Sequence, residues 1–356
     1  MPHITPDLAD VEFLPRLDSL DFTGVGDSSH PEEPCLFSVS VNGKPVLEVN
    51  LRPVNGRYTL AGLPELLQPY IRNDHDPFNN MDVTITAAPG GQLATLCCIP
   101  CYGLPDISAK EWLQNHWLTF GPAQVMTYMG ASEPLAVLFS ANVPAPATAD
   151  CILWNELNKE VRRVICTVPT SPYEDQGIYT LDCSPDTISH LCECREGERL
   201  ICYDITCGAR LRRYTVFPPE AMVSKVHTLR FLNAFGMPDV IHFFGGVEES
   251  KKAKFDRARF GTSLRNYKVD AASTYKISAG FIGTGCTPLV DDLLHSCWVE
   301  DVHGGVVILT DCQYRIPEQL DKLPTLTVSV QDATGKPTYH YRRPKVFSRV
   351  FDSTFE

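Results

Sequence analysis

The residue type with the most chemical reach in this sequence is cysteine. Cys183, Cys192, Cys194, Cys202 and Cys207 fall within 25 residues, with His190 among them. Thiolate and imidazole are the donors that tetrahedral zinc takes. The group contains no Cys-x2-Cys pair, however. If Cys192 and Cys194 sit on a strand they share a face, which suits joint ligation and joint burial equally. Most of the cysteines, Cys151, Cys166, Cys202 and Cys312 among them, stand in apolar runs, and Cys97, Cys98 and Cys101 offer a weaker cluster. Free cysteine packs as a small hydrophobe. The expectation is therefore core thiols, with no metal and no cofactor, and the six residues from Cys183 to Cys207 stand as candidates only.

Other chemistries find less support. The ten histidines could pair with many acids, but no Gly-x-Ser-x-Gly elbow is present. Asp74-His75-Asp76 lies in Asn73-Asp-His-Asp-Pro77, the composition of a surface turn. Asp291-Asp292 reads as the solvated face of a helix. Gly245-Gly246 and Gly304-Gly305 are isolated pairs without a phosphate-binding pattern. Lys251-Lys-Ala-Lys-Phe-Asp-Arg-Ala-Arg259 is a basic stretch, partly balanced by Glu248 and Glu249. It reads as a solvated connection between strands, or as a contact to an acidic neighbouring subunit. Trp112, Trp117, Tyr128 and His242-Phe-Phe244 could form platforms for a sugar, although such residues more often anchor cores and interfaces. No constellation demands a reaction, so the chain reads as a non-enzyme.

The elements that must position these side chains read as mostly β, in two or three sandwich- or barrel-like domains with a few short helices. Residues 1–34, rich in Pro, Asp, Ser and Gly, suggest an extended arm. A β-rich domain is expected over 35–142. Leu36–Val41 alternates at period two, Asn42-Gly43 is a strong hairpin turn, and Pro45–Leu51 returns. Ser108-Ala-Lys-Glu111 opens a short helix as a capping box. Asn142–Ala149 reads as a stiff linker. A small β domain is expected over 150–222, with strands at roughly ten-residue spacing. The last domain, 225–356, is expected to be β-rich with one helix at about 287–296. There Thr287 is the expected N-cap, and Leu289, Leu293 and Leu294 share a face.

Composition narrows the class. The 356 residues are 44% hydrophobic and 21% charged, with a formal net charge of −12. That is enough apolar material for real cores, and an acidic surface disfavours nucleic acid. No run approaches the ~18 apolar residues of a membrane span. The N-terminus, Met1-Pro-His-Ile-Thr-Pro-Asp-Leu-Ala-Asp10, lacks the pattern of a signal peptide. Folding in the producer's cytoplasm with free thiols is the expectation.

The last third carries an ordered set of structural motifs. Arg230-Phe-Leu-Asn-Ala-Phe-Gly-Met-Pro238 precedes Ile241-His-Phe-Phe244, a charged hairpin, and Tyr275-Lys-Ile-Ser-Ala-Gly-Phe281. Leu289–Ser296, Ile308-Leu-Thr-Asp311, Lys322–Val330 and Val350-Phe-Asp-Ser-Thr-Phe-Glu356 follow. This order, from about 225 to 356, resembles tail-associated structural proteins of tailed phages and prophages of Bacteroidales. The resemblance implies a virion tail or baseplate component, made and assembled in the host bacterial cytoplasm. It implies homo-oligomers, other tail proteins as partners, and no catalytic residue. A carbohydrate-binding or adhesive module at a tail tip is the alternative.

Overall fold

In the computed structural model, residues 3–333 are described, apart from 26–32, 72–80, 89, 100, 102–107, 139–145, 174–177, 219, 221–224, 261, 302 and 318–323. The Asp74-His75-Asp76 turn, the first half of the expected linker (142–145) and the C-terminal motif lie outside them. The chain is mainly β and forms three successive units, each built of two sheets.

The first unit contains β1 (His3–Thr5), β2 (Val11–Phe13), β3 (Ser19–Thr23), β4 (Cys35–Val41), β5 (Lys44–Leu51), β6 (Arg57–Ala61), α1 (Leu63–Ile71), β7 (Met81–Ala88) and β8 (Gly91–Ile99). One sheet runs β1-β3-β6 and the other β2-β8-β7-β4-β5. Period-two alternation places Phe37, Val39, Val83 and Ile85 inside, against Phe22 and Leu20 of the smaller sheet. The β4–β5 turn is the expected one: Asn42 and Gly43 both take positive φ, 49° and 75°, as a two-residue hairpin matching strand twist requires.

The N-terminal segment is not a free arm. Phe13, Leu14, Leu17, Leu20 and Phe22 are buried, and β2 adds parallel to β8. The apolar pieces are only three to five residues long, so their polar surroundings dominate the composition. Edges supplied by distant strands nevertheless complete their hydrogen bonding.

The second unit contains α2 (Ala109–Asn115), β9 (Gln124–Tyr128), β10 (Pro134–Leu138), β11 (Ala147–Asn155), β12 (Glu160–Val168), β13 (Thr170–Tyr173), β14 (Ile178–Asp182), α3 (Pro185–Leu191), β15 (Glu198–Cys207) and β16 (Arg210–Phe217). Its sheets run β12-β11-β15-β16-β9 and β10-β14-β13. Ser108 caps α2 by accepting from the Glu111 N–H at 3.2 Å, half of the expected box. The expected boundary at 142 moves. β9 pairs parallel with β16 and β10 antiparallel with β14, so both belong here and not to the first unit. Ala147 and Ala149, expected in the linker, are buried in β11. Local pattern identifies a strand but carries no record of a partner about forty to ninety residues away.

The third unit contains β17 (His227–Leu232), β18 (Pro238–Phe243), β19 (Val247–Phe260), β20 (Ser263–Phe281), α4 (Thr287–His295), β21 (Val299–Asp301), β22 (Val307–Arg315) and β23 (Thr325–Asp332). Its sheets run β18-β17-β21 and β19-β20-β23-β22. The helix falls where expected, with differences of detail. Cys286 occupies the N-cap position, and the Thr287 hydroxyl instead meets Tyr314 Oη at 2.8 Å. Leu289 and Leu293 face the core, but Leu294 is exposed and Asp292 is buried. At 100° per residue the apolar stripe from Leu289 and Val290 reaches position 293, and position 292 falls at its margin.

The units meet at a shared apolar junction, and the Asn233-Ala-Phe-Gly-Met237 motif is the wedge that fills it. Asn233 Oδ1 accepts from the N–H groups of Phe235 and Met237, at 3.0 and 3.1 Å. Its amide donates to the Leu118 carbonyl at 2.9 Å. Gly236 takes φ 74°, which closes the β17–β18 hairpin. The turn delivers Phe235 onto Phe13 of the first unit and Phe120 of the second, with ring centroids 5.8 and 4.7 Å away. Buried Glu12 also links units by accepting from the Ala109 N–H. Aromatic packing and capped backbone thus join three sandwiches into one body.

Candidate functional site

The expected zinc candidates do not converge. Cys183 is buried after β14, where its carbonyl accepts from Tyr203 Oη at 2.6 Å, and desolvation pushes its thiol pKa up. His190 is exposed on α3. Cys202 and Cys207 lie on opposite faces of β15, since their separation is odd; Cys202 is half-buried and Cys207 buried. Cys192 is not on a strand at all: it follows the last turn of α3 as its C-cap.

A different thiol set does come together. Cys151, Cys166 and Cys192 present sulfur atoms that all lie within 4.8 Å of one another. Cys166 Sγ and Cys192 Sγ are 3.8 Å apart. Strand register produces the first two. Ala149 pairs with Cys166 and Cys151 with Val164, so the two cysteines are diagonal neighbours on the inner face of β11 and β12. The end of α3 lowers Cys192 onto them. Cys151 and Cys192 are buried and Cys166 half-buried. The Cys192 thiol is drawn down to about 7, chiefly by hydrogen bonding from Cys151, with Cys166 and the Arg162 guanidinium adding. Arg162 is itself fixed by Glu198, with Nε and Nη2 donating at 2.9 and 2.6 Å.

Burial alternates through Ala147, Ala149, Cys151 and Leu153 and places Cys151 inward, in a strand that begins inside the expected linker. The short turn between β11 and β12 brings Cys166 beside it. Nothing local announces that Cys192, beyond two further strands, completes the set.

The aromatic platforms are not available as expected. Trp117 is buried in the second core. Trp112 is covered by His116, stacked at 3.8 Å and 11°, and by Phe235 at 6.4 Å. Phe243 is fully buried. Tyr128 alone lines a cleft of about 620 Å3, shared with Thr228, Arg230, Glu300, Asp301 and His303.

Behind that cleft runs a buried polar chain. His242 Nε2 meets Glu133 Oε1 at 2.7 Å, His242 Nδ1 meets Thr228 Oγ1 at 2.7 Å, and Thr228 meets Tyr128 Oη at 3.1 Å. Both His242 and Glu133 are buried, and each ring nitrogen has a partner. The chain ties β18 to the segment before β10 as a satisfied internal network.

The basic stretch has a definite shape. It forms most of β19, which pairs with β20 from Val247↔Ile277 to Phe260↔Ser263. β20 reaches β23 only from Thr274 onward, and β19 is the end strand of its sheet. Residues 251–273 therefore form a two-stranded ribbon about 33 Å long, at ~3.3 Å per residue. Among the described residues, neither of its edges pairs with another strand. Phe255 and Leu264 are exposed on it. It holds seven Lys and Arg against two Asp. The expected connection between strands is thus itself a strand, β19, and it extends beyond the sheet.

Compared with known proteins, the chain matches no protein-family model and no curated sequence. Among the described residues, no helix is long and apolar enough to cross a membrane.

Proposed function

We propose that this protein is a structural component of a phage tail or baseplate, acting through protein–protein assembly in repeated copies. The observation that supports this reading is the 251–273 ribbon. A two-stranded ribbon with both edges unpaired is costly in isolation, because its outward N–H and C=O groups form a template for another chain. Proteins that keep such an element use it to pair with a partner strand. Charge selects the partner. The ribbon is strongly cationic on a chain whose formal net charge is −12, so the acidic remainder of a second copy complements it. Head-to-tail contacts of this kind close into rings or continue as tubes. The wedge of Phe235 joins the units into one body, so the ribbon projects from a firm base.

A carbohydrate-binding role would have to use the cleft beside Tyr128, since Trp112 and Trp117 present no open ring face.

The test compares the intact chain with a variant in which 251–273 is replaced by a short turn. Mass measured across a concentration series and negative-stain microscopy are the readouts. Higher oligomers, rings or tubes are expected for the intact chain and monomers for the shortened one, with thermal stability little changed. A strictly monomeric intact chain at high concentration overturns the reading.

A further inference from the structure

We propose that Cys151, Cys166 and Cys192 form a binding site for one thiophilic d10 cation, which pins α3 to the β11–β12 hairpin. The argument rests on geometry and donor chemistry. A zinc–sulfur bond is about 2.3 Å, which sets thiolates roughly 3.8 Å apart around a tetrahedral ion and about 4.0 Å apart around a trigonal one. Cys166 and Cys192 already stand at 3.8 Å. The full set lies within 4.8 Å, so side-chain rotation of less than about an ångström at sulfur seats all three.

The positions are supported on every side. Cys151 and Cys166 are held by antiparallel register between β11, an inner strand, and β12, the edge strand of a five-stranded sheet. Cys192 is held by the last turn of α3, where its N–H donates to the Ile188 carbonyl at 2.9 Å. A donor set made only of thiols selects soft ions, Zn(II) or Cu(I), over Mg(II) or Ca(II). Binding exchanges thiol protons for the cation, and both the protons and the displaced water leave through the half-buried Cys166 side. The Arg162 guanidinium, on the same face as Cys166 and in electrostatic contact with Cys192, offsets the negative charge of a tris-thiolate.

The two ions make different demands. Cu(I) is satisfied by three thiolates. Zinc takes a fourth donor; Cys194, half-buried two residues beyond Cys192 and within its electrostatic reach, lies outside the 4.8 Å set and would have to swing in from its contact with Ser189 to supply it. In either case the deep burial of Cys151 and Cys192 makes the site a staple, with no open coordination position for a substrate.

The full-length protein, reduced and stripped with a chelator, is titrated separately with Zn(II) and with Cu(I) under anaerobic conditions. Metal content, sulfur-to-metal charge-transfer absorption (read with Co(II) in place of Zn(II)) and melting temperature are followed. One ion per chain is expected, with a melting-temperature rise of several degrees. Cys166→Ser, at a half-buried position the fold tolerates, is expected to weaken binding by at least about tenfold; Cys192→Ser likewise. Cys202→Ser leaves it unchanged. Loss of binding in Cys194→Ser identifies the zinc form, and retention identifies the three-thiolate form.

Failure of the intact chain to bind either ion stoichiometrically overturns the proposal without reference to any variant. Binding that survives Cys166→Ser overturns it too. So does loss of two free thiols to a Cys166–Cys192 disulfide in freshly purified metal-free protein. None of these outcomes bears on assembly through the ribbon.

Discussion

Replacing Asp292 by Asn tests whether a buried carboxyl sets the pH dependence of stability. Asp292 sits on the inner margin of α4, where its Oδ2 has no hydrogen-bond partner. Desolvation pushes its pKa up to about 7, against a donated N–H from Ala234; Asp239 and Asp291 add to the rise, and His295 opposes it. Between the unfolded value, near 3.8, and the folded one, the native state holds a proton that the unfolded chain has released. Stability is therefore fullest below the unfolded value and falls as pH rises, levelling off above the folded value. At 1.36 kcal/mol per decade the whole fall is about 4 kcal/mol as an upper limit, and roughly half of that once water reaches the open side. Asparagine is nearly isosteric, keeps the acceptor for Ala234 and cannot ionise. Urea unfolding of both proteins between about pH 4 and pH 8 should show a difference near zero at the acid end. The variant should be about 2–4 kcal/mol more stable at the alkaline end, with an unchanged denaturant slope. Taking the difference cancels other titrating groups common to both. A constant difference across the range, or one that favours the wild type as pH rises, refutes the reasoning.

Three further substitutions probe the frame. A Cβ at Gly245 would lie 2.5 Å from the Ser278 carbonyl oxygen and 3.1 Å from the Gly280 nitrogen. Both are backbone atoms that cannot swing aside, so Gly245→Ala should cost about 2 kcal/mol or more by chemical denaturation. An unchanged midpoint would show that the β18–β19 connection adapts freely. His242→Ala removes the partner of Glu133 Oε1 and leaves a buried carboxyl unpaired, which should cost about 3 kcal/mol or more. Glu133→Gln, which can still accept from or donate to the ring, should cost clearly less. Equal losses in thermal melts would show that burial alone, and not the hydrogen bond, matters there.

Local elements were largely readable because their physics is local. Asn42-Gly43 closes a hairpin because both positions need positive φ, and alternation at Leu36–Val41 assigns faces from a two-residue period. Pro288 and the apolar spacing of Leu289 and Leu293 place α4. Tertiary structure alone decided the rest. Strands such as β9 and β10 joined a unit they precede, and the apolar pieces of the first 25 residues found sheet edges far along the chain. Asp292, at the margin of its helix's apolar stripe, entered a core because groups distant in the chain, Ala234 and Asp239 among them, close over it. The same holds for the thiols: two of the three are placed by the β11–β12 register, which a linker over 142–149 does not foresee, and Cys192 arrives through the docking of α3. Periodicity reports which way a side chain points, whereas hydrogen-bond partners and packed neighbours distant in the chain are chosen by the whole free energy of the fold.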